Sequence, residues 1–447
     1  MHLSNKQVQH FHLRTGFGEN LVVIQNHSGQ TQKTLVEELF RNSEAILPIN
    51  HLKNPVANNA ATDLKVLKMM LKSKKQVAEV SLKWTIKMAQ SPAQLREKMT
   101  FFWHNHFATK VPFAYLMQVQ NNTFREHALG NFGEMLHAIA KDPAMLLFLN
   151  NQQNKKRRPN ENFAREVMEL FTLGDGNYAE SDIKEAARAF TGWQVNRQGK
   201  FELNQRHHDF GSKTIFGNTG DFSGEDVLNL ILDKKECAVF ICRKLYRYLI
   251  HHNEDETFIK EMADEFYDSN YDISNLIRFI LNSDEFIKEA VIGTRIASPT
   301  ELLVRYIRTF NLKFKTDRVI LAGQKSLGQV PLFPPNVSGW REQREWIDSS
   351  SLLYRMRLPL LMFGDQIKTG KRGQRWKPEV DWNPLVLSLK DVSDQDLTQA
   401  IINRLIQSDK SKIDQQNLDR FGNSESRTDR IIAIATRVMA SPEFQLI

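Results

Sequence analysis

The amino-acid sequence predicts an all-α protein: a large multi-helix assembly with a central bundle and one small β-hairpin. Three observations carry that expectation. Phe, at 28, outnumbers Gly at 21 and Pro at 14 in a chain of 447 residues, so bulky side chains are plentiful and helix breakers are scarce. Long stretches return an apolar residue every three or four positions, the period of a helix with one buried face. Only one stretch alternates apolar and polar residues about a polar turn, as strands do.

The elements follow in order. From 62 to 90 the run TDLKVLKMMLKSKKQVAEVSLKWTIKMAQ contains neither Gly nor Pro and predicts one long amphipathic helix. Ser91 and Pro92 predict an N-cap and a first-turn proline for the next helix, through PAQLREKMTFFWHNHF. Further helices are expected at about 113–128, 130–141, 160–173 and 181–190, and 223–310 is nearly all helical in period. The helices between 60 and 173 form the expected bundle. FELNQRHHDFGSKTIFG, 201–217, predicts the hairpin, which must pack on the helical body because a lone hairpin is marginal. GDQIKTGKRGQRWKPEVDWNP, 364–384, is rich in Gly, Pro and charge and predicts a surface loop. With no low-complexity linker and no tandem repeat, residues 1–447 are expected to form a single domain.

Composition narrows the function. Hydrophobic residues at 41% and charged residues at 25% exclude a mainly disordered chain. The net charge of +8 is spread over 60 basic and 52 acidic residues. The basic runs at Lys155–Arg158 and at Lys368, Lys371, Arg372, Arg375 and Lys377 carry no interleaved aromatics, so nucleic acid is not an expected partner. Cys237 and Cys242, five apart on one apolar helix, point in different directions and read as core residues. No apolar run is long enough for a membrane span, and MHLSNKQVQHFHLRTGFGEN lacks the regions of a signal peptide. The chain as written is expected in the cytoplasm, or in the periplasm if an export signal has been removed. There is no phosphate loop, nucleophile elbow or dinucleotide fingerprint.

Three segments could carry chemistry. In the expected helix 161–173, Phe163, Val167, Leu170 and Phe171 share one face, while Glu161, Arg165 and Glu169 form a stripe on the other; Asn160 is the expected N-cap and Gly174 the stop. Glu166 borders the apolar face three residues before Glu169, where two carboxylates can share an ion or a proton. In Trp103-His104-Asn105-His106-Phe107, a continuing helix puts His106 among Leu95, Met99 and Phe102 and turns His104 nearly the opposite way. An extended chain would instead bring both imidazoles to one metal. His207-His208-Asp209, with Lys213 after it, offers imidazole and carboxylate ligands in a turn. Glu134 and His137 have the Glu-x-x-His form of di-iron bundles, but no second histidine motif stands at the required spacing.

The segment PNENFAREVMELFTLGDGNYAESDIKEAARAFTGW, 159–193, resembles the signature of the bacterial domain of unknown function 1800 family. HLRTGFG (12–18), FFWHNHFAT (101–109), HDFGSKTIFG (208–217), PPNVSGW (334–340) and SPEFQ (441–445) agree with it, so the resemblance spans essentially the whole chain. It implies no activity, since the family is named for lacking one; its members are often exported and often encoded beside a sulfatase-like companion, and this chain departs on export. The leading expectation is a metal-dependent enzyme, hydrolytic rather than oxidative, holding zinc, manganese or iron on His104, His106, Glu169, His208 and Asp209. Glu166 is then ligand or base, and Arg165 or Lys213 stabilises an anionic substrate. His106, Glu166 or Glu169, and His208 should accordingly converge. The alternative is a noncatalytic helical scaffold that binds a partner such as the sulfatase-like companion, with the prolines and Trp of PPNVSGW as docking surface.

Overall fold

Capping chemistry starts most of the helices where the sequence places it. Ser4, Asn20, Thr31, Asn131, Asp142, Ser223, Asp255, Asp272, Ser298 and Ser426 each accept a backbone N–H of the first turn that follows. The computed structural model describes residues 2–55, 63–363, 367–369, 374–376, 378–422, 424 and 426–447. Among them helices dominate, accompanied by three two-stranded antiparallel sheets.

The expected long helix runs Asp63–Gln90, and the following ones run Ala114–His127, Phe132–Ala140 and Glu180–Ala189. Buried side chains among the described residues fall into two clusters, one drawn chiefly from 95–291 and one chiefly from 77–117 and 297–447. Asp63–Gln90 packs on Ala114–His127 and on the distant Pro299–Thr309, and Lys235–Leu249 packs on Glu256–Asp268.

The Gln94–His106 helix belongs to both clusters. It gives Leu95, Met99, Phe102 and Trp103 to the first and Phe101 to the second. Every residue in it except Asn105 is buried, an environment that normally selects an apolar helix. This one nevertheless carries Arg96, Glu97, Lys98, His104 and His106, and each has a partner. Glu97 takes a two-pronged ion pair from Arg125 at 2.8 and 3.0 Å and the Trp84 indole N–H at 2.9 Å. Ser91 and Pro92 do not open the helix as expected: Ser91 Oγ accepts from Ala93 N, and the helix begins at Gln94. The Gln94 side chain turns back to cap the carbonyls of Met88 and Ser91.

The expected 201–217 hairpin is two hairpins. Phe201–Leu203 pairs back with Trp193–Val195, and Lys213–Ile215 pairs forward with Asn218–Gly220. The second turn explains the split, because Phe216 and Gly217 both have positive φ, 50° and 80°, the two-residue turn that suits a tight hairpin. Part of the 364–384 segment lies outside the described residues. What is described there contains paired strands, Ile367–Thr369 with Gln374–Trp376, and not only loop. Cys237 and Cys242 are buried and free.

Asp142 gives the fold a pH dependence. Its side chain caps the Pro143–Phe148 helix through Met145 N at 3.0 Å and accepts from Gln120 Nε2 at 2.8 Å. Burial outweighs these bonds and pushes its pKa up to about 7. The folded state therefore holds a proton that the unfolded chain releases near pH 4, and stability falls as pH rises from about 4 to 7. Asp142→Asn keeps the cap without a charge. Its melting temperature should exceed that of the parent at pH 8 and not at pH 4, and equal pH profiles for the two proteins would refute this assignment.

Candidate functional site

The segments that looked like one metal centre are separately engaged. The Gln94–His106 helix continues through both histidines, so His104 and His106, two residues apart, face away from each other and share no ion. His104 Nε2 accepts Leu332 N at 3.0 Å; the ring is wedged beside Trp84 and Trp340, and burial holds its pKa down to about 3. His106 donates Nε2–H to the Phe171 carbonyl at 3.0 Å and accepts from Lys244 Nζ at 3.2 Å, which fixes a neutral tautomer. Burial first, then Lys244, lowers its pKa.

His208 and Asp209 are held by the closing residues of the 159–193 segment. His208 Nδ1 donates to the Thr191 carbonyl at 2.8 Å, and Asp209 pairs with Arg188 at 2.8 Å. Lys213 is buried against Asp221 at 3.3 Å and the Gly211 carbonyl at 2.9 Å. Arg165 pairs with Glu180 at 2.8 Å and Glu161 at 3.4 Å, a surface network instead of the expected three-residue ladder, because Glu169 turns to accept from the Tyr178 hydroxyl at 3.0 Å. Glu166 is half-buried, and burial, then Glu169, raises its pKa. Among the described residues no three His, Cys, Asp or Glu side chains are arranged to hold a metal ion.

The signature helix also differs in form. Asn162–Glu166 is α-helical, but Val167–Thr172 widens to a π-helix that ends before Gly174 at φ 76°. The N-cap position falls to Glu161 and not to the expected Asn160, whose side chain accepts from Asn162 N. Carbonyls near the end of this segment, at Leu170 and Phe171, take up Lys244 at 3.1 Å and His106.

Other segments of the resemblance do meet, around buried charges. Asn105 Oδ1 accepts Trp340 N at 2.8 Å and His104 accepts Leu332 N, so the WHNH segment pins both ends of the stretch containing PPNVSGW. About two turns earlier, Lys98 donates to Glu301 at 2.5 Å and to the Leu13 carbonyl of HLRTGFG at 3.2 Å, with its ammonium over the Phe17 ring at 5.1 Å. Arg295 also donates to Glu301 at 2.5 Å, and the second Glu301 oxygen closes a capping box with Ser298. Burial alone would raise the Glu301 pKa; Arg295 and Lys98 overcome it and hold the carboxyl well below the usual range. SPEFQ closes the far side, where Arg305 donates to the Phe444 carbonyl and the Gln445 carbonyl accepts Ala297 N, both at 2.9 Å.

The sequence profile of the family described as "Protein of unknown function (DUF1800)" matches residues 10–446. The chain belongs to the DUF1800 family. No curated protein and no solved structure matches it.

Beside the Lys98–Glu301–Arg295 cluster the DUF1800 chain forms a narrow cleft. Phe101, Phe102, Asn105, Tyr248, Arg295, Glu301, Gln329, Glu342 and Trp346 are among its walls. Its enclosed space is about 30 Å³. Glu342 lines the cleft from an exposed stretch of chain, and its carboxylate makes no hydrogen bond or ion pair among the described residues. The protein packed round that carboxyl raises its pKa; Glu301 adds to the rise and Arg295 offsets it. Lys244, one helical turn before Tyr248, is pushed down to about 8 by burial, with Glu342 opposing the shift. Beyond Ile296, which lines both spaces, a groove of about 980 Å³ runs between the 292–296 segment, the 407–412 loop and the chain's last residues.

The sequence carried faint signals for this site. S-x-x-E at 298–301 is a capping-box pattern, and Lys98 sits in an otherwise apolar helix period. Nothing in the sequence connected them across 203 residues.

Proposed function

We propose that this DUF1800 protein is an enzyme of hydrolytic type whose proton transfer takes place in the charged cleft, with Glu342 carrying the proton. The observation that supports this reading is one cleft holding two carboxylates in opposed environments: Glu301, saturated by cations, and Glu342, unpaired and with its pKa raised by the protein around it. Glu301 is spent on structure. Glu342 is free to give a proton to a leaving group, Tyr248 and Arg295 face the same space to hold the substrate, and Lys244 tunes the field.

The test is a panel of chromogenic esters, phosphoesters, sulfate esters, glycosides and peptides. Turnover is expected on at least one, falling by about 10²–10⁴-fold in Glu342→Gln with the melting temperature unchanged. Turnover indifferent to that substitution, or none across the panel, overturns the reading.

The metal-dependent form of the enzyme reading requires His106, His208, Asp209 and Glu169 to leave their present partners. Metal analysis of protein purified without chelator, with melting shifts on added zinc, manganese or iron, measures it directly. The scaffold reading draws on a different feature, the 980 Å³ groove, whose size suits a partner's segment; co-purification with a sulfatase-like companion would favour it.

A further inference from the structure

Charge does not balance behind the cleft. Arg14, Lys98 and Arg295 are buried there with one buried carboxylate, Glu301. Glu301 has nothing left to give, since one oxygen takes Lys98 and Arg295 and the other takes Ser298 N. Arg14 is left to donate from Nη2 to the Val291 carbonyl at 3.0 Å and to Thr294 Oγ1 at 3.4 Å. Its Nε and Nη1 have no partner, and neither has Arg295 Nε. A buried guanidinium N–H without an acceptor costs about 1–3 kcal/mol, and more when charged, so Arg14 and Arg295 carry donor capacity that the buried groups round them do not use.

We propose that the cleft binds one small oxyanionic group, a carboxylate or phosphate at the end of the substrate, with Arg295 as its principal donor and Arg14 adding charge from behind. Arg295 is both a wall of the cleft and a bearer of an orphaned N–H. The roughly 30 Å³ of enclosed space admits such a group and little more, which makes the anion a terminal anchor and leaves the rest of the molecule outside, toward Glu342. Asn105 and Gln329 supply neutral polar walls, and the Arg295 guanidinium stands over the Tyr248 ring, 5.1 Å from its centre. The assignment rests on the cleft being the substrate site and names the class of substrate it takes.

The experiment titrates the full chain with inorganic phosphate and with acetate at constant ionic strength, chloride making up the balance. It reads melting temperature and the fluorescence of Trp346, a wall of the cleft. A saturable rise in melting temperature, with a matching fluorescence change lost in Trp346→Phe, is expected for at least one of the two anions. Arg295→Lys keeps the charge toward Glu301 and should bind that anion about tenfold more weakly while still folded. No saturable response to either anion, or equal binding by Arg295→Lys, overturns the proposal. Glu342→Gln separates the two readings. Anion binding that survives it alongside lost turnover supports both; binding in a parent with no turnover sinks only the catalytic reading, and turnover without binding sinks only this one.

Discussion

Glu301→Gln is expected to destabilise the protein by about 3–5 kcal/mol, the usual cost of removing one member of a buried ion pair. The effect arises because Lys98 and Arg295, both buried, lose their shared counter-charge together, and Arg14 adds its repulsion. The acid limb of stability should change as well. The Glu301 carboxyl is held below its unfolded pKa, so its contribution is complete above the ordinary carboxylate range and is lost as pH falls through that range toward the folded value. Urea unfolding at pH 7 and at pH 3 would show a large gap between parent and variant at pH 7 and a smaller one at pH 3. A gap below 1 kcal/mol at pH 7 would mean that the cluster is not the brace described above.

The second large effect is expected at Gly339→Ala. Gly339 has φ 79°, and a Cβ there would stand 2.4 Å from Asn105 Oδ1 and 2.5 Å from the Asn105 carbonyl. Neither atom can yield easily, because Asn105 Oδ1 is the acceptor that fixes Trp340 N and the carbonyl belongs to a buried helix. Strain and clash together should cost about 3 kcal/mol and loosen the wall that carries Glu342. Gly176→Ala is the control. It has a similar φ, 84°, with nothing within 4 Å, and should lose only about 1 kcal/mol. Thermal melts that rank the two variants equally would remove the close approach as the cause.

Local features were legible in the sequence and long-range ones were not. The Asp63–Gln90 helix could be read because periodicity without breakers is a local property. The split of the 201–217 hairpin depends on Phe216 accepting a left-handed conformation, which β-propensity argues against and which Asp182, bonded to Phe216 N at 2.9 Å, helps to secure. The candidate site failed for a related reason. His104, Asn105 and His106 do act as anchors, but their partners Leu332, Trp340 and Phe171 are mostly backbone groups far along the chain, and a backbone N–H leaves no mark in a sequence. Residue type favoured metal chemistry; burial turned the same imidazoles into neutral hydrogen-bonding braces.

The buried Gln94–His106 helix also sets an order of events during synthesis. Lys98 meets Glu301 only after 203 further residues have been made, and His104 meets Leu332 after 228. At about 5–20 residues per second the ribosome takes roughly 10–40 s to supply the first of these partners. Throughout that interval the nascent chain carries a helix that is hydrophobic yet charged on the faces it must later hide, able to associate with the early cluster through Leu95, Met99 and Phe102 but not to close. Commitment to the native state therefore waits on the second half of the chain, and the unfinished polypeptide is a natural client for chaperones that shield exposed apolar surface.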